Sequence, residues 1–156
     1  MAINDLEKLL HYLCPFPSEV QEKALWLRNF IWCRYPQCNE LVYDNYNAVA
    51  FGWSPTEKLG HTFCNVAIWR TNAHVILGFN WGSELTDPRH LLIGNGKQFR
   101  YLSSDVWGTL PDSDLENLIK EAYHQALEKV TNPAQIVQGK TIYKSESPVK
   151  RSSKKE

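Results

Sequence analysis

No stretch of this 156-residue chain approaches the roughly 18 to 20 apolar residues needed to cross a bilayer, and even the charge-free run Thr71 to Ser83 falls short of it. A membrane span is therefore not expected. Acidic Asp5 and Glu7 stand where a secretory leader would carry its basic and apolar regions, so the chain reads as cytoplasmic. Cysteine is sparse: Cys14, Cys33, Cys38 and Cys64 have no second Cys or His pair at zinc-site spacing. In a reducing compartment four free thiols are expected, with Cys64 the most buried. Eight glycines and eight prolines are too few for a collagen-like or low-complexity chain. There is no G-x-S-x-G elbow, and the serines at 54, 83, 103 and 104 fall in turn-like segments, so hydrolase chemistry finds no support.

Net charge is zero, yet it is unevenly spread. Residues 1 to 130 hold 11 basic against 15 acidic side chains, and residues 131 to 156 hold 6 against 2. A mildly acidic body repels a polyanion, which argues against specific nucleic-acid binding; the basic end adds at most weak, salt-sensitive attraction.

What is present is hydrophobic patterning that changes period along the chain. Ile3, Leu6, Leu9, Leu10 and Leu13 recur at helical spacing until Pro15 and Pro17. Ser18 and Gln21 suggest a capping box for a second helix over 18 to 35, with Val20, Ala24, Leu27 and Ile31 on one face. From Glu40 to Leu102 the period is two. Strands are expected at Glu40–Asp44, Tyr46–Trp53, Thr62–Trp69, Ala73–Asn80 and Gln98–Leu102, with a hairpin at Arg70 to Ala73. Asp87-Pro88 predicts a helical turn ending at Gly94. Leu115, Leu118, Ile119, Ala122, Ala126 and Val130 predict a last helix over 112 to 130. The Ser/Lys-rich remainder, 131 to 156, reads as a basic, disordered tail. The expectation is one α+β domain over residues 1–130, with a five-stranded, mainly antiparallel sheet and helices packed on one face.

Three segments, Tyr46-Asn47-Ala48-Val49-Ala50-Phe51-Gly52, His74-Val75-Ile76-Leu77-Gly78-Phe79 and Leu91-Leu92-Ile93-Gly94-Asn95-Gly96-Lys97-Gln98-Phe99-Arg100, together resemble the YdhG-like family of uncharacterised bacterial domains. The resemblance spans about residues 18–130. It implies a frataxin-like fold and, through that similarity, a link to iron. Frataxin-type iron handling is associated with a dense acidic ridge, whereas here only Glu19, Glu22, Glu40 and Asp44 stand in the corresponding region.

The candidate ligand-binding residues follow from local chemistry. Gly94, Gly96 and Lys97, with Arg100, could hold a small anion on backbone amides; the competing reading is a turn. His74 with Trp81, Asp87 and His90 could form a base or metal site, or be a satisfied strand-edge histidine. Asp44, Tyr46 and Asn47 sit where two strands meet and could form a polar rim. Six tryptophans cannot all be buried without polar partners in so small a domain, so some should face a pocket or partner. The leading expectation is non-enzymatic binding of a small ligand or protein partner through the concave sheet face, with no cofactor. The alternatives are an iron-binding chaperone, which needs its four carboxylates to converge, and an enzyme built on His74 with Asp87 or Asp44.

Overall fold

The structure, a computed structural model, describes residues 3–135 and 139–152. Helix α1 (Ile3–Leu13) and helix α2 (Ser18–Arg34) are followed by strands β1 (Asn39–Asp44), β2 (Ala48–Ser54), β3 (Cys64–Trp69), β4 (Val75–Phe79) and β5 (Arg100–Leu102). A single-turn helix α3 (Ser104–Trp107), helix α4 (Asp112–Lys129) and strand β6 (Thr141–Glu146) complete the chain. The strands form one sheet in the order β5-β4-β3-β2-β1-β6. Neighbours are antiparallel throughout except that β6 runs parallel to β1. The fold is α+β, but the sheet is six-stranded and mixed.

The sixth strand corrects the expectation of a disordered tail. Thr141 pairs with Glu40 and Tyr143 with Val42, about a hundred residues apart in sequence. Composition carries no trace of such pairing, because a parallel edge strand needs only the open hydrogen-bonding side of β1. The apolar pair Ile136 and Val137 lies outside the described residues.

Two local expectations also change. Residues 87 to 90 make a turn instead of a helical one. Both Asp87 carboxylate oxygens accept backbone N–H groups, from Leu91 and Leu92 at 2.9 Å, and His90 takes a left-handed φ of 53° that ends helical continuation. Ser18 begins α2 rather than capping it; Pro17 is the cap, and the Gln21 amide donates to the Phe16 carbonyl at 2.8 Å.

Alternation along the strands sorts the sheet into two faces. Val42, Val49, Phe51, Trp53, Val66, Ile68, Leu77 and Phe79 point into a buried core with Leu9 and Leu13 of α1, Leu27 and Ile31 of α2, and Leu115 and Ile119 of α4. Acidic Asp112 and Asp114 at the start of α4 and Lys129 at its end complement the helix dipole. The helices thus cover one face. Cys38 and Cys64 are buried, Cys14 and Cys33 exposed, and all four are free thiols; burial pushes the Cys38 thiol up to about 12.

The core contains a charge pair. Arg28 of α2 donates to both Glu40 oxygens, at 2.6 and 2.8 Å, and the Thr141 hydroxyl donates to the same carboxylate at 2.9 Å. This joins α2, β1 and β6 through one buried group. Bidentate geometry and the added hydroxyl are what such a pair needs to offset its desolvation.

Candidate functional site

The other sheet face carries no α-helix among the described residues, only the single 3-10 turn Leu59–His61. Its outward residues run, row by row across the strands, as Leu41, Gly52, Asn65, Gly78 and Tyr101, then as Tyr43, Ala50, Ala67 and Ile76. The small residues in these rows have a steric cause. A Cβ on Gly52 would come within 2.8 Å of the Thr62 methyl, and one on Gly78 within 2.7 Å of the Phe99 ring. The segment 55–63 from one side and Phe99 from the other therefore lean onto the sheet where glycine leaves room. Phe99 stacks on Tyr101, which meets Trp69 edge-on at 5.3 Å between centroids.

Beside the 55–63 segment lies a hollow of about 210 Å³. Ala50 and Gly52 contribute from β2, Tyr43 and Asn45 from β1 and its turn, and Thr62, Asn65 and Asn80 line it further, with Leu59 alongside. Two hydroxyls here, those of Tyr43 and Thr62, are buried without a hydrogen-bond partner among the described residues. Burial raises the Tyr43 phenol above its ordinary value. The Asn65 amide donates to the Asn80 side-chain oxygen at 3.0 Å, leaving the Asn65 oxygen and the Asn80 amide for other use.

The wall bearing Leu59 and Thr62 is held by its own network. Asn39 donates to the Thr56 carbonyl at 3.1 Å, the Thr56 N–H to the Ser54 hydroxyl at 3.1 Å, and Thr56 Oγ1 lies 2.7 Å from His61 Nδ1. The hollow is thus bounded by a strand floor and a hydrogen-bonded loop, which limits its freedom to collapse.

The residues singled out from sequence do not gather here. Asp44 lies buried at the end of β1, paired with Arg70 and, at 3.1 Å, with Lys150. Tyr46 and Asn47 are exposed, and they receive the chain's own C-terminal segment. The Arg151 N–H donates to the Tyr46 carbonyl at 2.9 Å and its guanidinium to the Asn47 side chain at 3.0 Å. His74 is exposed at the β3–β4 turn, its ring 6.2 Å from that of Trp69, and its N–H donates to the Asn72 side chain.

The remaining candidates stand at the opposite end of the strands. Register places Phe79 against Arg100 there, whereas Ala48, Trp69 and the two turns mark the other end. Trp81 lies under Lys129, whose ammonium is 4.4 Å from the ring centroid. Gly94 has a φ of 134°, reserved for glycine. Arg100 donates to the Gly96 and Phe99 carbonyls at 2.6 and 2.7 Å, and the Lys97 carbonyl accepts from the Ser83 hydroxyl. The glycine loop turns carbonyls toward the guanidinium, a clamp on the loop itself.

The alternative chemistries also find their groups spread. Glu40 is committed to Arg28 and Asp44 to Arg70, while Glu19 and Glu22 are exposed on α2. No cluster of three or more His, Cys, Asp or Glu side chains occurs among the described residues. Asp87 serves the Leu91 and Leu92 amides, and no hydrogen bond among the described residues joins His74 to Asp87 or Asp44. No helix among them is long and apolar enough to cross a membrane.

The tryptophans differ in their surroundings, with the indole nitrogens of Trp32, Trp53 and Trp81 buried without partners among the described residues. Trp107 donates to the Val75 carbonyl at 3.1 Å and Trp26 is 47% exposed. Trp53, however, is fully buried with its indole nitrogen unpartnered among the described residues, so packing against Phe51 and Trp32 outweighs the lost hydrogen bond.

Sequence reasoning passed over Tyr43, Thr62, Asn65 and Asn80. The legible signal was Asn65, a polar residue inside an apolar strand, opposite Gly52 and Gly78 on its neighbours. Compared with protein-family models, curated proteins and solved structures, the chain gives no significant match in any of the three.

Proposed function

We propose that this chain is a YdhG-like binding domain that holds a small ligand on the open face of its sheet and performs no chemistry on it. One observation carries this reading: the hollow is lined by Tyr43 and Thr62, whose buried hydroxyls have no partner among the described residues, and by Asn65 and Asn80, a pair of amides with unused donor and acceptor capacity. Buried polar groups are nearly always satisfied, and each exception asks for a reason. Ligand sites combine an apolar surround with a few convergent polar groups of this kind. The hollow brings together neither a nucleophile with a base nor a pair of titratable side chains of opposed pKa, the arrangements on which acid–base and covalent catalysis rest.

Native mass spectrometry of freshly purified protein tests the reading, with and without added ferrous iron. A co-purified organic mass that is lost in a Thr62→Val, Asn80→Leu double variant supports it. A stoichiometric iron adduct that persists in that variant overturns it in favour of metal handling.

A further inference from the structure

We infer that the hollow recognises an uncharged, planar ring bearing an amide edge, a cyclic amide or ring carboxamide of single-ring size. The inference rests on the binding reading above and adds the chemical class of the ligand.

Charge is the first constraint on the occupant. The residues lining the hollow are Tyr, Asn, Ala, Gly, Leu and Thr, without an ionisable group other than the Tyr43 phenol, which burial keeps neutral. An ion entering it would lose hydration with no counter-charge in return, a cost that excludes anions and cations alike. The ion-pairing side chains near this part of the sheet are committed elsewhere. Lys140 pairs with Glu57 at 2.7 Å, and Arg70 and Lys150 pair with Asp44, whose side chain alternates to the helix-covered face.

Shape is the second. A volume near 210 Å³ lies below the roughly 300 to 1,000 Å³ of drug-sized sites, which restricts the occupant to about one ring. The floor is Ala50 beside Gly52, where no strand side chain rises beyond a methyl group and the Thr62 methyl settles over the glycine, so the surface left to an occupant is low and flat. Leu59, 53% exposed, borders the same hollow. An exposed leucine at its rim can cover the second face of a ring that lies on the floor.

Hydrogen bonding then selects the edge. Because Asn65 donates to the Asn80 oxygen, the pair presents one free carbonyl oxygen and one free amide group. Adjacent N–H and C=O groups on a cyclic amide answer that pair, as one carboxamide answers another. The Tyr43 and Thr62 hydroxyls, each donor and acceptor, lie buried in the walls without a partner among the described residues, and a rotation of either side chain would bring it to a ring substituent; Thr62 is only 2% exposed. A saturated polyol would match the hydroxyls but not the flat floor.

The test uses the intact protein, labelled for amide NMR, titrated at millimolar concentrations with uracil and nicotinamide, with orotate and nicotinate as charged counterparts and glucose as a neutral polyol. The expected result is shifts at Tyr43, Thr62, Asn65 and Asn80 with the neutral amides, and binding weaker by roughly tenfold or more for the anions. Thr62→Val and Tyr43→Phe should each weaken uracil binding by roughly three- to tenfold with an unchanged melting temperature, since each removes only a hydroxyl group. Thermal melts of both variants identify a loss that comes from misfolding, and Asn80→Ser offers a second, smaller perturbation of the amide pair. Shifts at the same four residues with glucose or the anions, but not with uracil or nicotinamide, would overturn the ligand class while leaving the binding site standing. Perturbation by no probe at these residues, together with the absence of a co-purified mass, would overturn both.

Discussion

Across the same five antiparallel strands, the helix-covered face is uniformly bulky, whereas the open face sets small residues between large ones at Leu41, Tyr43, Ile76 and Tyr101. On the covered side Val42, Phe51, Trp53, Val66 and Phe79 are large and fully enclosed by α1, α2 and α4. On the open side Ala50, Gly52, Ala67 and Gly78 are small, and the bulk is supplied from outside by Thr62 and Phe99. A helix brings its own ridges to fill the space above a sheet, so strand residues can be large. Where loop side chains approach the backbone itself, the strand residues have to shrink. The difference assigns the folding core to one face and, on the proposed reading, binding to the other.

The largest effect should come from the covered face. Trp53→Ala is expected to cost about 3 to 5 kcal/mol in urea unfolding; a loss as small as that of an open-face variant would erase the contrast. Next, Glu40→Gln leaves Arg28 facing a neutral partner in the core and should cost about 3 kcal/mol. The double variant Arg28→Met, Glu40→Met should cost less than the sum of the singles in a mutant cycle, because no uncompensated charge remains.

Alkaline pH addresses the same core. The buried Cys38 thiol titrates near 12 rather than its ordinary 9.0, and burial raises Tyr35 to about 12. The unfolded chain loses these protons first, so it binds fewer protons than the folded chain across that window. Stability should then fall as pH rises toward 12, from about 9 for the thiol and from about 10 for the phenol, by up to about 1.4 kcal/mol per pH unit for each such group. Cys38→Ala should flatten the slope, measured as urea midpoints from pH 8 to pH 11.

Smaller effects belong to the open face and the rim. Tyr101→Ala removes edge and stacking contacts with Trp69 and Phe99 and should cost about 1 kcal/mol. Lys150→Ala removes one of two cations on Asp44, leaves Arg70 in place, and should cost under about 1 kcal/mol. A Lys150→Ala loss exceeding that of Glu40→Gln would mean that the C-terminal segment at the Asp44 end of β1, and not the α2 pair at its Glu40 end, is the stronger anchor of that strand.

Elements with their own periodicity are legible in the amino-acid sequence. The two long helices come within a residue or so of their expected bounds, because Ala24, Leu27 and Ile31, and Leu115, Ile119 and Ala122, repeat at the helical period and meet one core. The first five strands follow from alternation. Strand β6 does not, since Lys144, Ser145 and Glu146 are exposed and only Thr141 to Tyr143 carry a pattern. The candidate site is less legible. Asp44, Tyr46 and Asn47 look like a free polar rim in sequence, yet Arg70, Lys150 and Arg151 arrive from other segments to engage them. His74, Trp81 and Arg100 are each suited to chemistry, but strand register sets His74 at the opposite end of the sheet from the other two.

Local patterning by itself determined which segments are helix and which are strand, the antiparallel run of five strands, and the face each strand turns inward, because these depend on spacing along one stretch of chain. Only the tertiary structure decided that the C-terminal segment would add a strand to the sheet, that Asp44 would be spent on ion pairs and Arg100 on the carbonyls of its own loop, and that Tyr43, Thr62, Asn65 and Asn80 would meet. Those outcomes depend on which distant groups compete for the same partners, and that competition is resolved only when the chain closes on itself.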